Sequence, residues 1–92
     1  MKKAEDWVKV TPQGLYIEPG DFYIDPVRPV ERALITHGHS DHARRNNKNV
    51  LATSGTIAIM KARYGTYAGE VLEETSYGYS QRIGDVTASF HP

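Results

Sequence analysis

At 92 residues the chain has room for one small domain, and its 11 basic and 11 acidic side chains cancel to a formal net charge of zero. That balance argues against a protein held to nucleic acid by overall charge, and the absence of cysteine excludes disulfides and thiolate metal sites. No apolar run approaches the roughly 18 residues of a membrane span, and the opening "MKKAEDWVKV" has no apolar stretch behind its lysines to make a secretory signal, so a cytoplasmic location is expected.

In chain order, Val8 and Val10 alternate with polar neighbours, Pro12 and Gly14 mark a turn, and Leu15 and Ile17 resume the period of two. The Pro-Gly pair of "EPGD" (18–21) predicts a turn. In "DFYID" (21–25) Phe22 and Ile24 share one face, Tyr23 and Asp25 the other, and Pro26 and Pro29 end the strand because proline cannot donate to a ladder. "RALIT" (32–36) and "NVLAT" (49–53) are short continuous apolar runs, the pattern of strands covered on both faces. Ser54 is the expected N-cap of an amphipathic helix over 54–64, with Ile57, Met60 and Tyr64 at helical spacing and Gly65 as its stop. "EVLEE" (70–74) reads as a short strand, and "GDVTASFHP" (84–92) as another with Val86, Ala88 and Phe90 buried. The sum is a β-rich, layered α/β fold with helices inserted between strands. His91-Pro92 stand on a buried strand with no cap after it, which leads us to expect only part of a domain.

Three of the four histidines fall in "ITHGHSDHARR" (35–45), directly after one of the apolar strands. Without thiolates, imidazole and carboxylate are the ligands that zinc and its neighbours take. His37 and His39 are two apart, so on an extended segment both rings point the same way, and Gly38 between them permits a tight backbone path. If Ser40 caps a short helix, Asp41 and His42 occupy its first turn and reach the same place from another side. Four ligand-type residues in six positions exceed one tetrahedral ion's need once other loops contribute, so two metals side by side is the economical reading. A polar surface turn accounts for a lone histidine but poorly for this density. Arg44, Arg45 and Lys48 stand beside the cluster, while acids gather at Glu70, Glu73 and Glu74. An exposed charged helix face explains Arg44 and Arg45 as well as phosphate contacts do.

His37-Gly38-His39-Ser40-Asp41-His42 resembles the H-x-H-x-D-H signature of the metallo-β-lactamase superfamily. The sequence around it, "TPQGLYIEPGDFYIDPVRPVERALITHGHSDHAR", "LATSGTIAIMKARYG" and "YGYSQRIGDVTASFHP", is similar to the DNA-ligase-associated exonuclease branch, itself similar to the nucleases that process mRNA 3′ ends. The resemblance runs from about Thr11 to Pro92, and implies that residues 1–92 are the N-terminal portion of an αββα sandwich, incomplete at its C-terminus. It implies that His37 and His39 bind a first divalent metal and Asp41 and His42 a second, with Asp41 also catalytic. Asp25 would be a site-ordering aspartate, although a turn-initiating aspartate before Pro26 is the plainer alternative. Further ligands would lie beyond this chain, and His91 is not one of them. Tyr79 and Ser80 stand where the family often has an acid.

The implied function is metal-dependent hydrolysis of nucleic-acid phosphodiesters in DNA repair, with DNA favoured over RNA and Arg44 and Arg45 as candidate backbone contacts. Zinc suits the nitrogen-rich ligands, and manganese suits a nuclease site containing carboxylates. The resemblance also implies a DNA ligase or helicase partner. The chain alone is expected to bind metal weakly, to be inactive and to self-associate through uncovered sheet surface. Two other readings stay open: a small thioester or ester hydrolase of the same fold, and a non-catalytic metal-binding fragment.

Overall fold

The computed structural model describes residues 7–92 and shows a mixed α/β fold. Six strands form one sheet in sequence order: β1 (Val8–Thr11), β2 (Gly14–Ile17), β3 (Phe22–Ile24), β4 (Arg32–Leu34), β5 (Asn49–Thr53) and β6 (Val71–Thr75). The first two pairings are antiparallel and the remaining three are parallel. Helix α1 (Ser54–Tyr64) makes the crossover from β5 to β6, followed by a 3-10 turn at Gly65–Ala68. A separate hairpin, β7 (Gln81–Ile83) with β8 (Val86–Ala88), completes the set.

The strand register explains the continuous apolar runs. Ile17, Phe22, Leu34 and Leu51 project from one face, where Ile83, Val86, Ala88 and Phe90 of the hairpin segment cover them. Ala33, Val50 and Ala52 project from the other face, beneath Ile57 and Met60 of α1. A strand covered on both faces has no position left for a polar residue, so β4 and β5 lose the alternation of a half-exposed strand. Ile35, Ile57 and Met60 are fully buried, each worth roughly 1.5–3 kcal/mol of transfer free energy. Ala43, from the long β4–β5 connection, joins the same cluster, so the β4–β5 and β5–β6 crossovers share the α1 face.

Several boundaries differ from the sequence reading. The run 32–36 is a strand only as far as Leu34, because Thr36 turns its amide to the Asp25 side chain. Thr53, not Ser54, is the N-cap of α1, and no side chain closes that end. Gly65 ends the helix at φ +58°, with its N–H on the Lys61 carbonyl, a backbone that glycine adopts without Cβ cost. β6 sits one residue later than expected, and β7 carried too weak an alternation to be read. Val8 and Val10 pair with Ile17 and Leu15 but remain exposed, since the hairpin does not reach over them. At the same end Tyr16 packs on Tyr23 with ring centroids 4.8 Å apart. Its hydroxyl donates to Asp21 at 2.6 Å, which holds this phenol above its ordinary pKa.

Candidate metal centre

Parallel strands bring their C-terminal ends to one edge of the sheet, the place where open α/β sheets commonly bind ligands. β3 ends there in Asp25, β4 in Thr36 and the histidine loop, β5 in the start of α1, and β6 in Ser76 and Tyr77. The edge therefore gathers residues far apart in sequence. Asp25 takes a left-handed backbone (φ +45°), which aspartate tolerates better than most residues. Its amide donates to the Leu34 carbonyl at 3.0 Å, anchoring it beside the exit of β4.

Asp25 is the hub of the polar contacts. The Thr36 amide donates to Oδ1 at 2.7 Å and the Thr36 hydroxyl donates to Oδ2 at 2.5 Å. His42 Nδ1 lies 2.9 Å from Oδ2. A neutral ring that donates from Nδ1 to this carboxylate would keep its lone pair on Nε2. The same reasoning sets the other ring. The Thr36 hydroxyl gives its one proton to Asp25, so at 2.8 Å it accepts from His37 Nδ1 and leaves His37 Nε2 as the bare nitrogen. A carboxylate or hydroxyl holding the far nitrogen is the common way to orient a metal-ligating imidazole. Thr36, which the sequence reading passed over, is the link between Asp25 and His37. Only its place between a strand and the first histidine could have pointed to it.

The structure brings Asp25, His37 and His42 together, with one potential ligand atom from each inside a 4.8 Å span. His37 and His42 rings lie 4.1 Å apart between centroids, and His39 meets His37 edge-on at 4.9 Å. Asp41 is 72 % exposed, with Oδ2 3.6 Å from His42 Nε2. Among the described residues the group of Asp25, His37 and His42, one carboxylate and two imidazoles, could hold a metal ion, and His39 and Asp41 lie outside it. Ser40–His42 is a single turn rather than a helix: His42 and Ala43 amides both donate to the His39 carbonyl, at 2.9 and 2.8 Å. Arg44 and Arg45 follow it on exposed irregular backbone, which removes the charged-helix-face explanation for them.

Two contacts from α1 support the loop, and neither has a signal in the sequence. Arg63 donates to the Gly38 carbonyl at 2.9 Å, and the Tyr64 hydroxyl to the Ala43 carbonyl at 2.8 Å. Gly38 does not take a left-handed backbone, and it lies close against the Ile59 side chain, which would have to shift to admit a Cβ. A Cβ there would lie 2.8 Å from Ile59 Cδ1 and 3.2 Å from its Cγ2. A cleft of about 450 Å³ opens beside His37, walled by Thr53, Gly55, Thr56, Ile59 and Thr75. A slightly larger one, about 500 Å³, lies between the sheet and the β7–β8 hairpin and holds none of the loop's histidines.

Among the described residues no helix is long and apolar enough to cross a membrane. The chain matches no family model, no curated protein and no solved structure.

Proposed function

We propose that the loop 37–42 is the metal-holding end of a hydrolase that cleaves nucleic-acid phosphodiesters. The observation that carries this reading is the clustering of Asp25, His37 and His42 within 4.8 Å, with His39 and Asp41 flanking them. His37 and His39 would hold one divalent cation, zinc or manganese, and Asp41 and His42 a second. Asp25 orders both rings from behind, directly at His42 and through Thr36 at His37. A cation held there supplies Lewis-acid polarisation of a phosphate ester and acidifies water. The exposed Asp41 carboxylate is placed to accept the proton of an attacking water. Arg44 and Arg45 would meet the backbone of the substrate, DNA in preference to RNA. A sheet with α1 on one face and β7–β8 on the other is compatible with the first half of an αββα sandwich.

The four ligands His37, His39, Asp41 and His42 cannot close two four-coordinate shells by themselves. The 92-residue chain alone is therefore expected to bind metal weakly and to turn over little or nothing. The experiment is a cleavage assay with zinc or manganese on single-stranded DNA and, in parallel, on a thioester, using the longest native form of the protein. Cleavage of DNA that disappears in Asp41→Ala, with the circular dichroism spectrum unchanged, supports the reading. Full activity in Asp41→Ala sinks it. Thioester turnover without DNA cleavage moves the assignment to small-substrate hydrolysis. Metal binding with neither activity leaves a non-catalytic metal site.

A further inference from the structure

Past His42 the chain turns away from the metal loop and forms the wall of a second pocket, of about 280 Å³. Arg28 reaches it from the β3–β4 connection, and Ser40, Arg44, Arg45 and Asn46 from the β4–β5 connection, with Tyr64 of α1 at the side. Among the described residues no carboxylate lines it. Among the described residues none of the three guanidinium groups forms an ion pair, although Lys9, Lys48 and Arg82 each find an acid. Three cations converging without an acid repel one another, and an arriving anion relieves that cost. Arginine's planar fork matches phosphate oxygens in pairs.

The backbone that carries these exposed side chains is held by specific, part-buried contacts. Asn47 is 1 % exposed and ties the two connections together: its Oδ1 accepts from the Val30 amide at 3.0 Å and its Nδ2 donates to the Arg44 carbonyl at 3.4 Å. The Lys48 amide donates to the Val30 carbonyl at 3.0 Å, repeating the link. Asn46 holds a left-handed backbone (φ +70°) and its amide donates to the Tyr67 carbonyl at 2.8 Å, which fixes the turn that carries Arg44 and Arg45. Ser40 is the common wall. It lines this pocket and directly precedes Asp41 and His42.

We propose that Arg28, Arg44, Arg45 and Ser40 form a subsite for a backbone phosphate of a nucleic-acid strand, flanking the phosphate presented to the metal loop. Arg28 is its third cation and Asn47 its positioning residue. The proposal rests on the phosphodiesterase reading for the identity of the strand, but its test does not require metal. A fluorescein-labelled single-stranded oligonucleotide is titrated with the protein in EDTA at several salt concentrations, followed by fluorescence anisotropy.

Arg28→Ala is expected to weaken binding about threefold to tenfold and to flatten the salt slope by about 0.7 for each phosphate left without its cation. Arg28→Lys keeps the charge and falls between the two. Lys61→Ala, on the exposed side of α1 and outside the pocket, is the control and changes neither quantity. The proposal is overturned if Arg28→Ala behaves like Lys61→Ala, or if the wild-type protein does not bind the strand. It is also overturned if inorganic phosphate binds as tightly as the oligonucleotide and only phosphate binding responds to Arg28. Zinc binding by His37→Ala, measured separately, tests the metal reading and leaves this pocket untouched, so the two can fail independently.

Discussion

At the residue scale the centre depends on Thr36 as much as on the histidines. One hydroxyl hands its proton to Asp25 and takes another from His37, which sets the tautomer of the ring and its direction together. Thr36→Val keeps the shape and the backbone hydrogen bond to Asp25 but removes that relay. Outer partners of metal-bound histidine are commonly worth one to two decades of affinity, so zinc binding should fall about 10- to 100-fold in a competition titration against a chromogenic chelator. An unchanged affinity would mean that His37 is not oriented through Thr36. That His37 and His42 lie close together follows from their short spacing after an apolar strand, whereas His39 and Asp41, expected with them, stand outside the group the structure gathers. The proximity of Asp25 was not legible from spacing alone, since it depends on β3 and β4 pairing in parallel and ending together.

At the element scale, local pattern and tertiary contact contribute differently. α1 was readable in advance because Ile57, Met60 and Tyr64 recur at helical spacing and Gly65 closes the run; Ile57 and Met60 are fully buried. β5 was readable as an apolar run bounded by polar residues. β7 was not, because a three-residue strand with one apolar side chain carries no period. β6 contains a local inconsistency. Thr75, at its end, is 7 % exposed, and among the described residues its Oγ1 has no hydrogen-bond partner. A buried unpaired hydroxyl costs about 1–3 kcal/mol. Thr75→Val matches its shape and favours a strand, so the urea midpoint should rise, by an amount equivalent to about 1 kcal/mol. A fall in the midpoint would show that the hydroxyl is satisfied in solution.

At the scale of the whole molecule the two faces of the sheet are unequally covered. The hairpin segment covers Ile17, Phe22, Leu34 and Leu51, but Val8 and Val10 of β1 and Leu15 of β2, on the same face, stay partly or wholly exposed. Val8, Val10 and Leu15 are 40, 86 and 41 % exposed, on an edge strand and its neighbour, and the outer backbone groups of β1 have no neighbouring strand among the described residues. Lys9 on β1 pairs with Glu18 at 2.9 Å, and one charge on an edge is a weak barrier to pairing between copies. Light scattering over a concentration series should give a mass that rises above the 10.3 kDa of one chain. A constant monomer mass would contradict this, as would an unchanged association after Val10→Lys.

The sequence alone set which ligand-type side chains the loop carries, the absence of thiol ligands and the course of the best-patterned elements. Those properties are local: residue type, spacing and period act over a few neighbours. Tertiary structure alone decided which distant groups meet. Parallel pairing of β3 with β4 places Asp25 behind the histidines, the buried amide of Asn47 ties Val30 of the β3–β4 connection to the Arg44 backbone, and α1 brings Ile59 against Gly38. Each of these is a long-range contact whose partners share no pattern along the chain, so only the packed sheet and its crossovers can specify them.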